Sequence, residues 1–255
     1  MGNLDGKRAV VWGVANRRSI AWAIAQALSR EGAQLALTYQ GERVEKMVRE
    51  CAEQIPNTPI VQADVTKDDE IQGVYDRLAK DWGQIDIIVH SIAFAQAEDL
   101  SGQFIDTSRS GFQMAMEISA YSLVAITRPA IPLMKNGGSV MTMTYIASER
   151  VFPSYNVMGV AKSALESTVR YLAADLGPSG IRVNAISAGP ISTLSARVVK
   201  GFTGFAKTHV ERSPLRRPTD PAEVGDTAVF LASDWSRGIT GEVLFVDEGF
   251  HILGV

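Results

Sequence analysis

A single cysteine, Cys51, occurs in the 255 residues. No internal disulfide can form, and the helix-forming residues around it make a semi-buried helix position the expectation. Histidine is nearly as scarce. His90, His209 and His251 are the only three, and their spacing is not that of metal ligands, so no metal is expected. An excess of one charge is also missing. Lys and Arg number 25 against 28 Asp and Glu, a net charge of -3, which argues against nucleic acid and anionic membrane as partners. No apolar run is long enough to span a bilayer. The opening Met1–Gly6 lacks the basic-then-apolar layout of a signal peptide, and Gly6 breaks the myristoylation pattern. The expected location is the cytoplasm.

What is present is the mix of an ordinary globular chain, 46% hydrophobic and 21% charged, long enough for one large α/β domain. Continuous Val/Ile-rich runs read as strands covered on both faces. They are Arg8–Trp12, Gln34–Thr38, Ile60–Ala63, Ile85–Val89, Ser139–Thr144, Arg182–Ser187 and Glu242–Val246. Helical patterns lie between them at Ile20–Arg30, Arg43–Gln54, Asp68–Lys80, Phe112–Leu133 and Tyr155–Asp175, with two more between Ser195 and Ser233. Thr66 followed by Asp69 reads as a capping signature for the third helix. The alternation predicts an α/β, Rossmann-like, doubly wound sheet of about seven parallel strands with helices on both faces. No linker or repeat divides residues 1–255, so a single domain is expected. Long connections follow the fourth strand (Ser91–Ser110) and the sixth (Ala188–Arg217). Both begin at carboxyl ends of strands, where ligands bind in such sheets.

A full G-x-G-x-x-G fingerprint is absent. The first strand instead runs into Gly13-Val14-Ala15-Asn16-Arg17-Arg18-Ser19-Ile20. Only Gly13 permits close backbone approach, while Ser19 and Ile20 open a helix whose N-terminal N–H groups suit a pyrophosphate. A plain connection would read the same way. The second strand ends at Gln40, which can bond ribose hydroxyls but brings no charge for a 2′-phosphate. It equally reads as an exposed turn residue, and Arg43 nearby keeps NADPH open as second choice to NADH. Asp64-Val65 ends the third strand. Asp64 could meet an adenine amino group or simply help begin the next helix.

The most specific words are Tyr145-Ile146-Ala147-Ser148-Glu149-Arg150 and Tyr155-Asn156-Val157-Met158-Gly159-Val160-Ala161-Lys162. A short-chain dehydrogenase ordinarily carries its lysine four residues after the catalytic tyrosine. Here Gly159 stands at that spacing and Lys162 comes seven residues on. Seven helical residues turn about 700°, returning the pair to within roughly 20° of one face and about 10 Å apart along the axis. With His90-Ser91-Ile92-Ala93-Phe94-Ala95 and Ser187-Ala188-Gly189-Pro190-Ile191-Ser192-Thr193-Leu194, the chain resembles the NADH-type bacterial enoyl-acyl-carrier-protein reductases of the short-chain dehydrogenase/reductase superfamily, over essentially its whole length.

That resemblance implies reduction of trans-2-enoyl thioesters on acyl carrier protein with NADH, in a fatty-acid elongation cycle, by a homotetramer. It implies Tyr145, Tyr155 and Lys162 as the catalytic set, with Tyr155 at the developing enolate and Lys162 on the cofactor ribose. Cofactor contacts would come from Gly13, Ser19, Ile20, Gln40, Asp64, Val65, Ser91, Ile92, Lys162 and the stretch Ile191, Ser192, Thr193, Leu194, Ser195. Substrate contacts would come from Ala95, Tyr145, Tyr155, Met158 and Phe202, with Phe205 a further apolar candidate. Trp12, Ala93 and Glu248 depart from the expected pattern, the last replacing a common glycine. Two rivals stand beside this reading. One is a carbonyl (3-ketoacyl-type) reductase of the same superfamily, with Thr142 near the place of its usual serine. The other is a non-catalytic dinucleotide sensor, which would need neither Tyr155 nor Lys162.

Overall fold

The computed structural model describes residues 2–194, 196 and 201–254. Seven strands form one sheet. They are β1 (Arg8–Trp12), β2 (Gln34–Tyr39), β3 (Ile60–Gln62), β4 (Ile87–His90), β5 (Gly138–Thr144), β6 (Ile181–Ala188) and β7 (Val243–Val246). Their order is β3-β2-β1-β4-β5-β6-β7, and each neighbouring pair is parallel. The order reverses between β1 and β4, which makes the crevice above their carboxyl ends the switch point where a dinucleotide binds. The expected doubly wound parallel sheet is therefore what the chain forms.

Each face of the sheet is covered because its strands are apolar on both sides. One core cluster joins Val11, Leu35, Leu37, Val89 and Ile186 to helices α1 (Ile20–Arg30), α2 (Glu42–Ala52) and α8 (Pro221–Ala232). The other joins Val10, Trp12, Ile88, Val140 and Val183 to α3 (Asp68–Trp82), α5 (Ser122–Thr127) and α6 (Asn156–Leu176). Trp12 is fully buried and lies against Tyr75, ring centroids 6.0 Å apart. It thus packs into the α3 face. Cys51 is completely buried in α2, more so than its helical context suggests. Among the described residues no helix is long and apolar enough to cross a membrane.

Three local expectations need correction. The Thr66–Asp69 capping signature fails. The N-cap of α3 is Lys67, without a side-chain cap bond, and the Thr66 hydroxyl donates instead to Asp64 Oδ1 at 2.8 Å. The strand expected at Ile85 begins at Ile87, because the Asp86 carboxylate and backbone are occupied with Arg8 at the sheet's lower edge. The long helix expected at Phe112–Leu133 begins earlier, as α4 (Arg109–Met116), with the Ser108 hydroxyl accepting from the Gly111 N–H. It then passes through a π turn at Glu117–Tyr121 into α5 and ends in a 3₁₀ segment, Arg128–Leu133, where Pro132 cannot donate to the helix ladder.

Candidate active site

The carboxyl ends of β1, β4, β5 and β6 open into a cavity of about 620 Å³. On its cofactor side the turn after β1 passes very close to the end of β4. Gly13 has φ +98, and a Cβ there would lie 2.1 Å from the Ser91 carbonyl oxygen, so this position needs glycine. Ser19 is the N-cap of α1, but its hydroxyl donates to the Asn16 carbonyl at 2.6 Å and does not cap the helix. The first-turn N–H groups of an 11-residue helix are left without a side-chain partner beside the cavity, the arrangement that favours an anion. Ile20, Ser91 and Ile92 line the cavity there, and Ile191, Thr193 and Leu194 line it from the segment after β6.

Gln40, Asp64 and Val65 stand off the cavity wall. The Gln40 amide donates to Asp64 Oδ2 at 3.2 Å. Burial works against the Asp64 anion, yet bonds from the Thr66 N–H and hydroxyl and from Gln40 hold its carboxyl below the usual carboxylate range. Asp64, just after β3, therefore carries a negative charge tied to Gln40 at the end of β2. Ser192 also lies off the wall, and Ser195 lies outside the described residues.

On the other side, Tyr145 follows β5 and Tyr155 is the N-cap of α6, one residue before the helix starts. Their rings are 5.2 Å apart. Burial raises both phenols above the ordinary tyrosine value, with Asp247 adding to it for Tyr145 and Tyr145 for Tyr155. Both stay protonated, as donors, at neutral pH. Lys162 is buried and donates to the Met143 carbonyl at 2.7 Å. Desolvation lowers its ammonium to about 8, opposed by the Glu166 carboxylate, which itself accepts from the Thr144 hydroxyl at 2.6 Å. The N-cap of α6 and a residue of its second turn thus bring a phenol and a cation into one cavity.

Ala95, Met158 and Phe202, the expected substrate contacts, line the apolar end of the cavity. Phe205 joins them through an edge contact with Phe152, centroids 6.1 Å apart. Phe152 in turn lies 5.3 Å from Tyr145. Sequence reasoning missed Phe152 and Asn16. The signal for Phe152 was an aromatic residue on the short connection between the two tyrosines. Thr142 does not line the cavity. It is fully buried at 2.7 Å from His90 Nδ1, while His90 Nε2 meets the Ser122 hydroxyl at 2.8 Å. Burial, with the charge of Lys162, depresses His90 to about 3 and keeps it neutral. Thr142, expected near the place of a carbonyl reductase's serine, is therefore tied to His90 in the core.

The family model for enoyl-(acyl carrier protein) reductases matches residues 13–251.

The chain belongs to that family.

It is 53% identical to the enoyl-acyl-carrier-protein reductase (NADH) of Aquifex aeolicus, over 100% of this chain and 95% of that protein. It is 50% identical to the NADPH enzyme of Staphylococcus aureus, over 98% and 99% respectively. The solved Bacillus cereus enoyl-acyl carrier protein reductase, complexed with NADP+ and an indole naphthyridinone, superposes with a TM-score of 0.98 at 53% identity, covering 100% of both chains. The near-complete superposition accounts for the parallel sheet as the fold of that family.

Proposed function

We propose that this enoyl reductase reduces the C=C bond of trans-2-enoyl thioesters carried on acyl carrier protein, with NADH. The carrying observation is that Tyr145, Tyr155 and Lys162 line one cavity together with Ser19 and Ile20 at the start of α1. The dinucleotide fits this chain. The Gly13 turn leaves no room for a Cβ, the first turn of α1 has uncapped N–H groups, and Lys162 supplies a buried cation. When bound, NADH supplies the hydride that reaches the β-carbon of the substrate.

The rest is the protein's work. Negative charge grows on the thioester carbonyl oxygen as the enolate forms, so a donor aimed at that oxygen stabilises the transition state more than the ground state. Tyr155 is that donor, because its raised phenol does not ionise near neutral pH. Tyr145, its ring tilted against that of Tyr155, shapes the thioester's approach. Lys162 holds the ribose hydroxyls, and its charge lowers the cost of the nearby anion. Phe202, Phe205 and Met158 exclude water from the acyl side. NADH is favoured over NADPH because Asp64 and Gln40 offer no cation to a 2′-phosphate.

The reaction belongs to fatty-acid elongation in the cytoplasm. A homotetramer suits the exposed apolar residues in two separate places, Val160 and Tyr171 on α6 and Trp235 and Ile252 near β7. The test is NADH consumption with crotonyl-coenzyme A and, separately, with a 3-ketoacyl thioester. The enoyl substrate is expected to be turned over. Consumption with the ketoacyl substrate alone would establish the carbonyl-reductase rival. NADH binding with no consumption on either substrate would establish the sensor.

A further inference from the structure

Against the Gly189 turn of the cavity wall, four segments meet at one buried carboxylate. Glu248 follows β7 and is only 6% exposed. Its backbone φ is +56, in the left-handed region that suits glycine and that a glutamate occupies only at a cost. Its Oε2 accepts from His209 Nε2 at 2.9 Å and, in a short contact, from the Thr219 hydroxyl. Arg217 approaches Oε1 at 3.7 Å while bound by both nitrogens to Glu223. His209 is the one buried residue of α7 (Phe202–Arg212), and its ring lies 5.1 Å from Phe250.

The spacing on α7 gives the cluster a direction. Phe202, Phe205 and His209 stand at i, i+3 and i+7, one face of a helix. The two phenylalanines wall the apolar end of the cavity, so the histidine is the polar fastening of the same inward face. The cluster also abuts the turn after β6. A Cβ on Gly189 would lie 2.0 Å from the Thr219 hydroxyl oxygen and 3.0 Å from His209 Cε1. Gly189 and Pro190 are themselves on the cavity wall.

We propose that Glu248 is a positioning residue for the acyl chain. Through His209 it fixes α7 so that Phe202 and Phe205 close the apolar site, and through Thr219 it fixes the loop that backs the Gly189 turn. A strained backbone retained at a carboxylate with two buried donors fits that role. The proposal rests on the enoyl-thioester reading above, and the experiment separates the two.

Glu248→Gly removes the carboxylate and relieves the backbone, so the fold keeps a conformation glycine tolerates. Glu248→Gln retains an acceptor. The readouts are kcat/KM for a dodecenoyl and for a crotonyl thioester, NADH affinity by fluorescence, and amide hydrogen exchange across Phe202–Arg212. The Gly variant is expected to lower the dodecenoyl-to-crotonyl ratio about tenfold, chiefly through KM, as loss of a buried charge-assisted bond allows. Exchange across α7 becomes faster, NADH affinity changes less than about twofold, within the scatter of an interaction lost elsewhere, and the Gln variant recovers most of the ratio. Thr219→Val, which removes one donor only, follows in the same direction more weakly. Unchanged ratio and unchanged exchange in Glu248→Gly overturn the proposal. So does a parallel loss on both substrates that Gln does not rescue, because that marks a general structural role. A wild-type protein inert toward both thioesters defeats the enoyl reading instead, while faster α7 exchange in the Gly variant still reports the latch.

Discussion

Replacing Lys162 by methionine separates what this side chain does for the fold from what it does for the cofactor. The ammonium is buried among Met143, Glu166 and His90, and desolvation brings it from 10.5 down to about 8. At 1.36 kcal/mol per pH unit, that difference corresponds to about 3 kcal/mol. The unfolded chain holds the proton more tightly than the folded one. Wild-type stability therefore lacks about 3 kcal/mol below about pH 8 and regains it as pH rises from about 8 to about 10.5. A methionine at 162 has no such dependence. The absolute difference between the proteins also contains the loss of the bond to the Met143 carbonyl, about 1–3 kcal/mol for a buried acceptor left unmade, so its sign at one pH decides little. The change with pH is the clean quantity, since His90, the group the Lys162 charge depresses, is held neutral chiefly by its burial and so does not titrate above pH 7 in either folded protein. Urea unfolding without cofactor at about pH 7 and about pH 10 should show wild type gaining about 2–3 kcal/mol on the variant over that interval. Parallel stabilities at the two pH values would refute the claim that folding buries this ammonium at a cost. The variant should also bind NADH more weakly than wild type does, because the charge that burdens folding is the one assigned to the ribose.

Two further outcomes follow from the same site. Tyr155→Phe should leave NADH affinity nearly intact and slow enoyl reduction by about 10²–10³, the usual cost of one oxyanion donor; single-turnover measurements that find the chemical step unchanged would remove Tyr155 from the mechanism. Gln40→Arg should narrow or reverse the preference for NADH, since a charge-assisted bond to the 2′-phosphate contributes about 1.5–3 kcal/mol, although Asp64 will compete for the new guanidinium. Comparing kcat/KM for the two dinucleotides measures it, and a wild-type preference for NADPH would mean that Arg17, Arg18 and Arg43 outweigh the neutral amide.

The strands were legible because a parallel sheet covered on both faces writes itself as continuous Val/Ile runs. All seven fall within two residues of their expected ends, and the two helices after Ser195 also lie where the pattern put them. The π turn at Glu117–Tyr121 was not legible, since hydrophobic periodicity does not register a single inserted residue. There the buried Ser119 hydroxyl donates to the Phe94 carbonyl at 3.1 Å and accepts from its N–H at 3.0 Å, a contact set by tertiary packing. In the site, Tyr155 and Lys162 were readable as a pair because they are local in sequence, at the N-cap and in the second turn of α6. Gln40 with Asp64 was half readable: each was a candidate, but their bond spans two strands and leaves no local pattern. The partnership of His209 with Glu248 is the extreme case. The residues are 39 apart in sequence, Glu248 was visible only as a departure from a common glycine, His209 lies in no motif, and only the folded chain brings them together.

The claim at the centre of this account is that the protein directs reduction to a carbon–carbon double bond, with Tyr155 at the thioester oxygen. It is tested most directly by supplying NADH deuterated at the transferable position of the nicotinamide ring together with crotonyl-coenzyme A in ordinary water. NMR of the product should then show a saturated thioester with deuterium on the β-carbon and a solvent-derived proton on the α-carbon. Deuterium on the α-carbon, or no saturated product from the enoyl substrate while a 3-ketoacyl thioester becomes a deuterated alcohol, would contradict it.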